Sequence, residues 1–154
     1  MPFYSRDNFV PEQSIGFLTR VCHQHAFSAL EQAFADEDVS AVQWTALVSI
    51  MFGNGETCAG LARHLAHDKG AMTRMIDSLE EKGLVERTRD TDDRRVVRLS
   101  LTPAGSETTY RCRDSAIALW NDLLAGWDEA EVTTLIAQLQ RLRATLETMP
   151  SCDD

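Results

Sequence analysis

Lys69, Thr73, Arg74, Arg89, Arg94 and Arg95 carry the chemistry a protein uses on nucleic acid. A guanidinium can bridge two phosphate oxygens or the two major-groove acceptors of guanine, and an ammonium can neutralise one phosphate. A threonine can hydrogen-bond a base edge or touch a thymine methyl. Three of these residues lie in the segment Asp68–Lys82, the other three in the turn Thr88-Arg89-Asp90-Thr91-Asp92-Asp93-Arg94-Arg95. A turn so highly charged buries nothing, so it is solvated surface or a binding device.

The elements that must position these residues follow from periodicity. Met72, Met75, Ile76 and Leu79 recur at helical spacing, so Asp68–Lys82 reads as a helix capped by Asp68 and ended at Gly83. Positions 69, 70, 73, 74 and 77 then face away from the core. Gly70 and Ala71 are small enough to let the helix start approach a phosphate. Leu84–Thr88 and Val96–Leu101 alternate as two strands joined by the charged turn. Helix, β-ribbon and basic tip in that order make a winged helix, which places the helix in a major groove and the tip in the adjacent minor groove.

Upstream, Pro11 opens a helix to about Phe34, Ser40 caps a second that stops at Gly53-Asn54-Gly55, and Thr57 caps a short third one. Downstream, Thr102-Pro103 starts a long helix broken at Gly126, and Asp128-Glu129-Ala130-Glu131 reads as a capping box. The last helix carries Val132, Leu135, Leu139, Leu142, Leu146 and Met149 at heptad spacing, which suits packing against another helix across a dimer interface, with a seam inside one chain as the alternative. Pro150 ends it, and Ser151–Asp154 is a tail. The expected fold class is mainly α with a small β-hairpin wing: a winged helix-turn-helix flanked by dimerisation helices. Residues 1–154 form a single domain in this reading, with 11–35 and 103–149 as dimerisation helices and 40–102 as the DNA-binding region.

The formal net charge of −9 is not spread evenly. Gly60–Ser100 holds nine basic and eight acidic side chains, a net +1, which leaves −10 for the rest. The local field rather than the total decides where phosphates bind. No apolar run approaches the ~18 residues of a membrane span, and residues 1–7 are neither a secretory signal nor a transit peptide. A cytoplasmic protein without a membrane role is expected.

No nucleophile elbow, P-loop or paired carboxylates on an apolar face are present, so an enzyme is not expected, nor a cofactor. Cys22, Cys58, Cys112 and Cys152 lack metal spacing and read as small hydrophobes, with Cys152 in the tail exposed. His64, His67 and Asp68 could form a metal site, but solvated or phosphate-facing histidines are the preferred reading, so no metal is expected.

The whole order resembles the MarR (multiple-antibiotic-resistance regulator) family of bacterial winged-helix regulators. The residues that carry it are Gln43-Trp44, Thr57, Leu61-Ala62, Asp68, Thr73-Arg74, Leu79-Glu80, Gly83-Leu84-Val85, Arg87, Asp93-Arg94-Arg95 and Leu101-Thr102-Pro103-Ala104-Gly105. The resemblance spans about residues 12–148. It implies a homodimer on a pseudo-palindromic double-stranded DNA operator, usually a repressor, with half-sites ~10 bp apart. It makes Arg95 the wing-tip arginine of the minor groove and Asp93 the acid that holds it, with Arg94 on a phosphate.

The resemblance also implies a small-molecule effector, commonly phenolic, in a pocket between dimer base and winged domain. Phe17, Val21, Cys22, His25, Trp44, Val48, Met51, Cys112 and Ala116 are the candidates to line it. A thiol-based redox sensor is the alternative, and a protein-contact module a further one. The reactive cysteine of the hydroperoxide-sensing branch falls on Gly16 here, so Cys22 reads as a buried structural thiol. Gly60 stands where an acid is common, and should loosen the short helix by about 1 kcal/mol against a good helix former.

Overall fold

A computed structural model describes residues 2–149; the expectations for Pro150, the tail and Cys152 lie outside them. The chain divides into two compact units, Met1–Ile117 and Ala118–Asp154.

In the first unit, Pro11–Gln13 forms a single 3-10 turn rather than the start of the first helix. Ser14 is extended, and its hydroxyl accepts the Phe17 amide at 3.4 Å to cap α1, Ile15–Ala33. Tyr4 ties the N-terminal arm to this junction: its hydroxyl donates to Gln13 O at 2.9 Å and accepts the Ile15 amide at 3.0 Å. The end of α1 is packed through Leu30 and through Phe34, whose ring meets Trp44 edge-on at 5.2 Å. Among the described residues the start of α1 buries no side chain, and Cys22 is exposed. This corrects the buried reading of that thiol: helical spacing shows which residues share a face, but not whether anything covers it.

Helix α2 runs Ala41–Met51 from a Ser40–Gln43 capping box, and α3 runs Cys58–His64 with Thr57 Oγ1 accepting the Gly60 amide at 3.1 Å. The Thr57 cap therefore survives the missing acid at position 60. Helix α4, Lys69–Glu81, buries Met72, Ile76 and Leu79, the expected face. The ends of α2, α3 and α4 share one geometry. A residue with positive φ follows the cap, and two backward amide bonds satisfy the last carbonyls. Gly53 (φ 71°) and Gly83 (φ 70°) serve two of them, and Ala66 (φ 52°) serves the helix-turn-helix turn. There Ala66 N–H donates to Arg63 O at 3.2 Å and His67 N–H to Ala62 O at 2.9 Å.

The hairpin pairs β1, Val85–Arg89, with β2, Val97–Leu101, antiparallel, in the register Val85↔Leu101, Arg87↔Leu99 and Arg89↔Val97. Each strand starts one residue later than the alternation suggests. The Leu84 amide is spent closing α4 on Leu79 O at 2.9 Å, and the Val96 amide closes the turn on Asp93 O at 2.9 Å, so neither joins the ladder. A further bond, Leu99 N–H to Glu56 O at 2.8 Å, attaches the α2–α3 connection to the free edge of β2. Leu47, Leu61, Met72, Ile76, Leu79, Val85 and Leu99 form the core between the three helices and the hairpin.

Helix α5, Pro103–Leu123, starts against this core and runs into the second unit. There α6, Glu129–Glu147, opens on the expected capping box, with Asp128 Oδ1 accepting the Glu131 amide at 2.8 Å and Glu131 Oε2 the Asp128 amide at 2.9 Å. No residue of α6 is buried, and Leu135, Ile136, Leu139 and Leu146 are exposed. Among the described residues no helix is long and apolar enough to cross a membrane.

Candidate nucleic-acid interface

Helix α4 presents Lys69, Gly70, Thr73, Arg74 and Asp77 outward while its opposite face is buried. Its start is held by Asp68, whose Oδ1 accepts the Ala71 amide at 2.9 Å. That bond, with help from the Gly70 and Lys69 amides and the Arg74 charge, holds the Asp68 carboxyl below its usual range. The Ala71 amide is thus engaged within the chain. A Cβ built at Gly70 would lie 3.2 Å from Asp68 Oδ1 and 3.5 Å from Arg74 Nη1, so glycine keeps this helix start open beside the Arg74 guanidinium. Thr73 Oγ1 donates back to Lys69 O at 2.9 Å and lies 3.6 Å from Cys58 Sγ.

The wing tip is built from carboxylates that accept the chain's own amides. Asp93 Oδ1 accepts the Arg95 amide at 3.0 Å and Arg95 Nε at 3.1 Å, and Asp93 Oδ2 accepts Arg95 Nη2 at 3.4 Å. The Arg95 amide bond and then the guanidinium lower the Asp93 carboxyl. The Arg95 side chain is nonetheless 91% exposed. A cation is therefore both aimed and available, the condition for insertion into a narrow groove of focused negative potential. Arg89 and Arg94 are exposed as well. Arg87 is not part of this surface: its guanidinium pairs with Asp77 Oδ1 at 2.7 Å and Glu80 Oε2 at 2.5 Å, tying β1 to α4.

Three residues that the sequence reading left out organise the wing from behind. Asp90 Oδ1 accepts the Asp92 amide at 2.8 Å and the Asp93 amide at 3.0 Å, while Asp90 Oδ2 accepts Arg98 Nε. The other side of the Arg98 guanidinium pairs through Nη1 with Glu56. The Asp93 amide first, then Arg98 and the Asp92 amide, bring the Asp90 carboxyl down to about 2. The signal was present as an aspartate two and three residues ahead of turn amides, the Asx pattern. The link to Glu56 crosses too much sequence to be read there.

The nine pocket candidates differ in how far they are exposed. Cys112 and Ala116 are buried in the packed core, and burial, with the nearby Glu37 carboxylate adding to it, pushes the Cys112 thiol up to about 11. Trp44 is half-buried, with Nε1 donating to Thr109 O at 3.4 Å. Val21 and Val48 are half-buried, while Phe17, Cys22 and His25 are exposed. Met51 alone of the nine lines an open cleft of about 520 Å³ between the end of α2, β2 and the start of α5, which Glu56, Arg98 and Tyr110 also border.

A buried helical core, an outward polar recognition face and a cationic hairpin tip define a winged-helix protein of the nucleic-acid-reading type. The sequence model of the MarR family matches residues 39–97, the span from α2 through the wing turn. The multiple antibiotic resistance protein MarR of Salmonella typhimurium is 31% identical over 129 residues, covering 83% of this chain and 90% of that protein. The HTH-type transcriptional repressor MdtR of Bacillus subtilis is 28% identical over 119 residues, covering 75% and 77%. Among solved structures, a mutant of E. coli MarR complexed with operator DNA superposes with a TM-score of 0.75 at 31% identity, covering 83% of this chain and 92% of that one. The chain belongs to the MarR family of transcriptional regulators.

Proposed function

We propose that this protein is a homodimeric, sequence-specific repressor that binds a pseudo-palindromic operator and is released from it by a small ligand. The observation that carries the reading is the wing tip, where Arg95 is held by three bonds to Asp93 and still stands in solvent. A protein-contact module has no need of a pre-oriented exposed guanidinium. Lys69, Thr73 and Arg74 on the outer face of α4 supply the major-groove half of the interface, with Gly70 and Ala71 admitting a phosphate near the helix start. The mutant of E. coli MarR solved with operator DNA supports operator binding by this chain.

Residues 40–102 are the DNA-binding region of a single functional domain, and 11–35 with 103–149 supply the dimer contact. The exposed Ile15, Phe17 and Leu18 of α1 and Leu135, Leu139 and Leu146 of α6 support this assignment, because apolar faces of that size are costly to leave in water. A thiol-responsive repressor is the second reading, favoured by the exposure of Cys22.

The test is fluorescence anisotropy of the purified protein against duplexes tiled from the region upstream of its own gene, with a scrambled control, at two salt concentrations. Tight binding of one near-palindromic duplex, with affinity falling by ~0.9 log units per log unit of salt for each phosphate neutralised, establishes the regulator. No preference over scrambled DNA, with and without fresh reductant and across a set of upstream regions, refutes it. Release by phenols in reductant, against release by peroxide alone, separates the two readings.

A further inference from the structure

We propose that Arg98 is a positioning residue for minor-groove reading, clamped between Asp90 in the wing turn and Glu56 on the α2–α3 connection. The inference rests on the DNA-binding reading above and concerns how Arg95 is held for it.

The wing is a two-stranded ribbon, and a free ribbon of that size is marginal in water. Its tip needs an anchor if Arg95 is to meet a groove at one angle. The only strand partner of β2 beyond β1 among the described residues is a single backbone bond, Leu99 N–H to Glu56 O. Arg98 strengthens that attachment with a side chain: Nη1 meets Glu56 and Nε meets Asp90. Asp90 in turn holds the Asp92 and Asp93 amides, and Asp93 holds Arg95 through backbone and side chain. A continuous chain of charge-assisted bonds therefore runs from the base of the helix-turn-helix to the reading arginine. The Asp90 side chain is only 10% exposed, so this carboxylate is spent on the protein rather than offered to solvent. Arg98 faces two carboxylates, which leaves the guanidinium no unpaired charge for a phosphate.

The test exploits sign. Asp90 and Glu56 are acids near DNA, so by charge alone their removal tightens binding. Positioning demands the reverse. Asp90→Ala is expected to weaken operator binding about ten-fold and Glu56→Gln about three-fold, with far-UV circular dichroism showing the fold retained at the assay temperature, as neighbours in one network behave. In an Arg95→Ala background, Asp90→Ala should change affinity by less than about two-fold, since the residue being positioned is gone. Asp90→Asn keeps an acceptor for the turn amides but weakens the bond to Arg98, and should fall between wild type and Asp90→Ala.

In the free protein, hydrogen exchange of the Asp92 and Asp93 amides should speed up in Arg98→Gln, where their direct acceptor is untouched. Equal or tighter operator binding by Asp90→Ala, or additivity with Arg95→Ala, overturns the positioning role while leaving the DNA reading intact. Wild-type protein that does not prefer its operator overturns both.

Discussion

Gly105 is the position where one methyl group should cost most. It lies in the first turn of α5, where Thr102 Oγ1 accepts its amide at 2.9 Å. Thr102 also donates its hydroxyl to Gly83 O at 2.6 Å and its amide to Leu84 O at 3.1 Å, so the start of α5 is laced to the turn after α4. A Cβ built at Gly105 falls 1.8 Å from Leu84 O and 2.8 Å from Leu84 C. Restoring an ordinary C···O separation of about 3.3 Å requires a backbone shift of about 1.5 Å. Both neighbours are main chain, so no side chain can swing aside.

Overpacking of this kind costs about 1–3 kcal/mol. Straining the two Thr102 bonds adds about 1 kcal/mol each if they break. Alanine's helix preference returns at most about 1 kcal/mol, less in a first turn. Gly105→Ala should therefore destabilise by ~2–4 kcal/mol. In urea, with a slope of about 2 kcal/mol/M, the midpoint should fall by about 1–2 M at fixed protein concentration. Gly16→Ala is the control, because a Cβ there meets nothing within 4 Å; it should be neutral or stabilising by up to about 1 kcal/mol. A Gly105→Ala midpoint equal to or above wild type would refute the argument that α5 is seated by backbone contact.

Arg95→Ala should weaken operator binding by ~1–3 kcal/mol in the anisotropy titration, with the far-UV circular dichroism unchanged; unaltered affinity removes the wing from the interface. Asp90, Asp68, Asp93 and Glu37 all have lowered folded-state values, Asp90 to about 2 against 3.8 for the free group. Their contribution is complete above the unfolded value and is lost as pH falls through about 4 to 2, so thermal midpoints should drop over that window and Asp90→Asn should flatten part of the drop. Cys112, buried and pushed up to about 11, should resist iodoacetamide at pH 8 in the native protein and react after denaturation; peptide mapping by mass spectrometry decides, and rapid native labelling would show that α5 opens.

Much of the reading head was legible in the chain. The apolar spacing of Met72, Ile76 and Leu79 determined which face of α4 is buried, and hence that Lys69, Thr73 and Arg74 face out. Capping side chains at Ser40, Thr57, Asp68 and Asp128 marked four helix starts, because a cap works through atoms two or three residues away. Gly53 and Gly83 marked two ends for the same reason. Ala66 hid the third, since an alanine gives no sign in sequence that it takes a positive φ. The wing was legible as a hairpin from its alternation, while the Asp93–Arg95 pair at its tip came from the resemblance to the MarR family.

What lay beyond the sequence is whatever joins distant segments. Arg98 reads as one more strand arginine until β2 is seen paired with Glu56, 42 residues upstream. Nothing near Arg87 in sequence shows that its guanidinium is taken up by Asp77 and Glu80 of α4. Cys22 and Cys112 both fall within helices, yet packing leaves the first in solvent and encloses the second. Local hydrogen bonding is encoded within a few residues, so type and spacing determine it. Ion-pair partners and burial depend on which surfaces the fold brings together, and only the tertiary structure decides those.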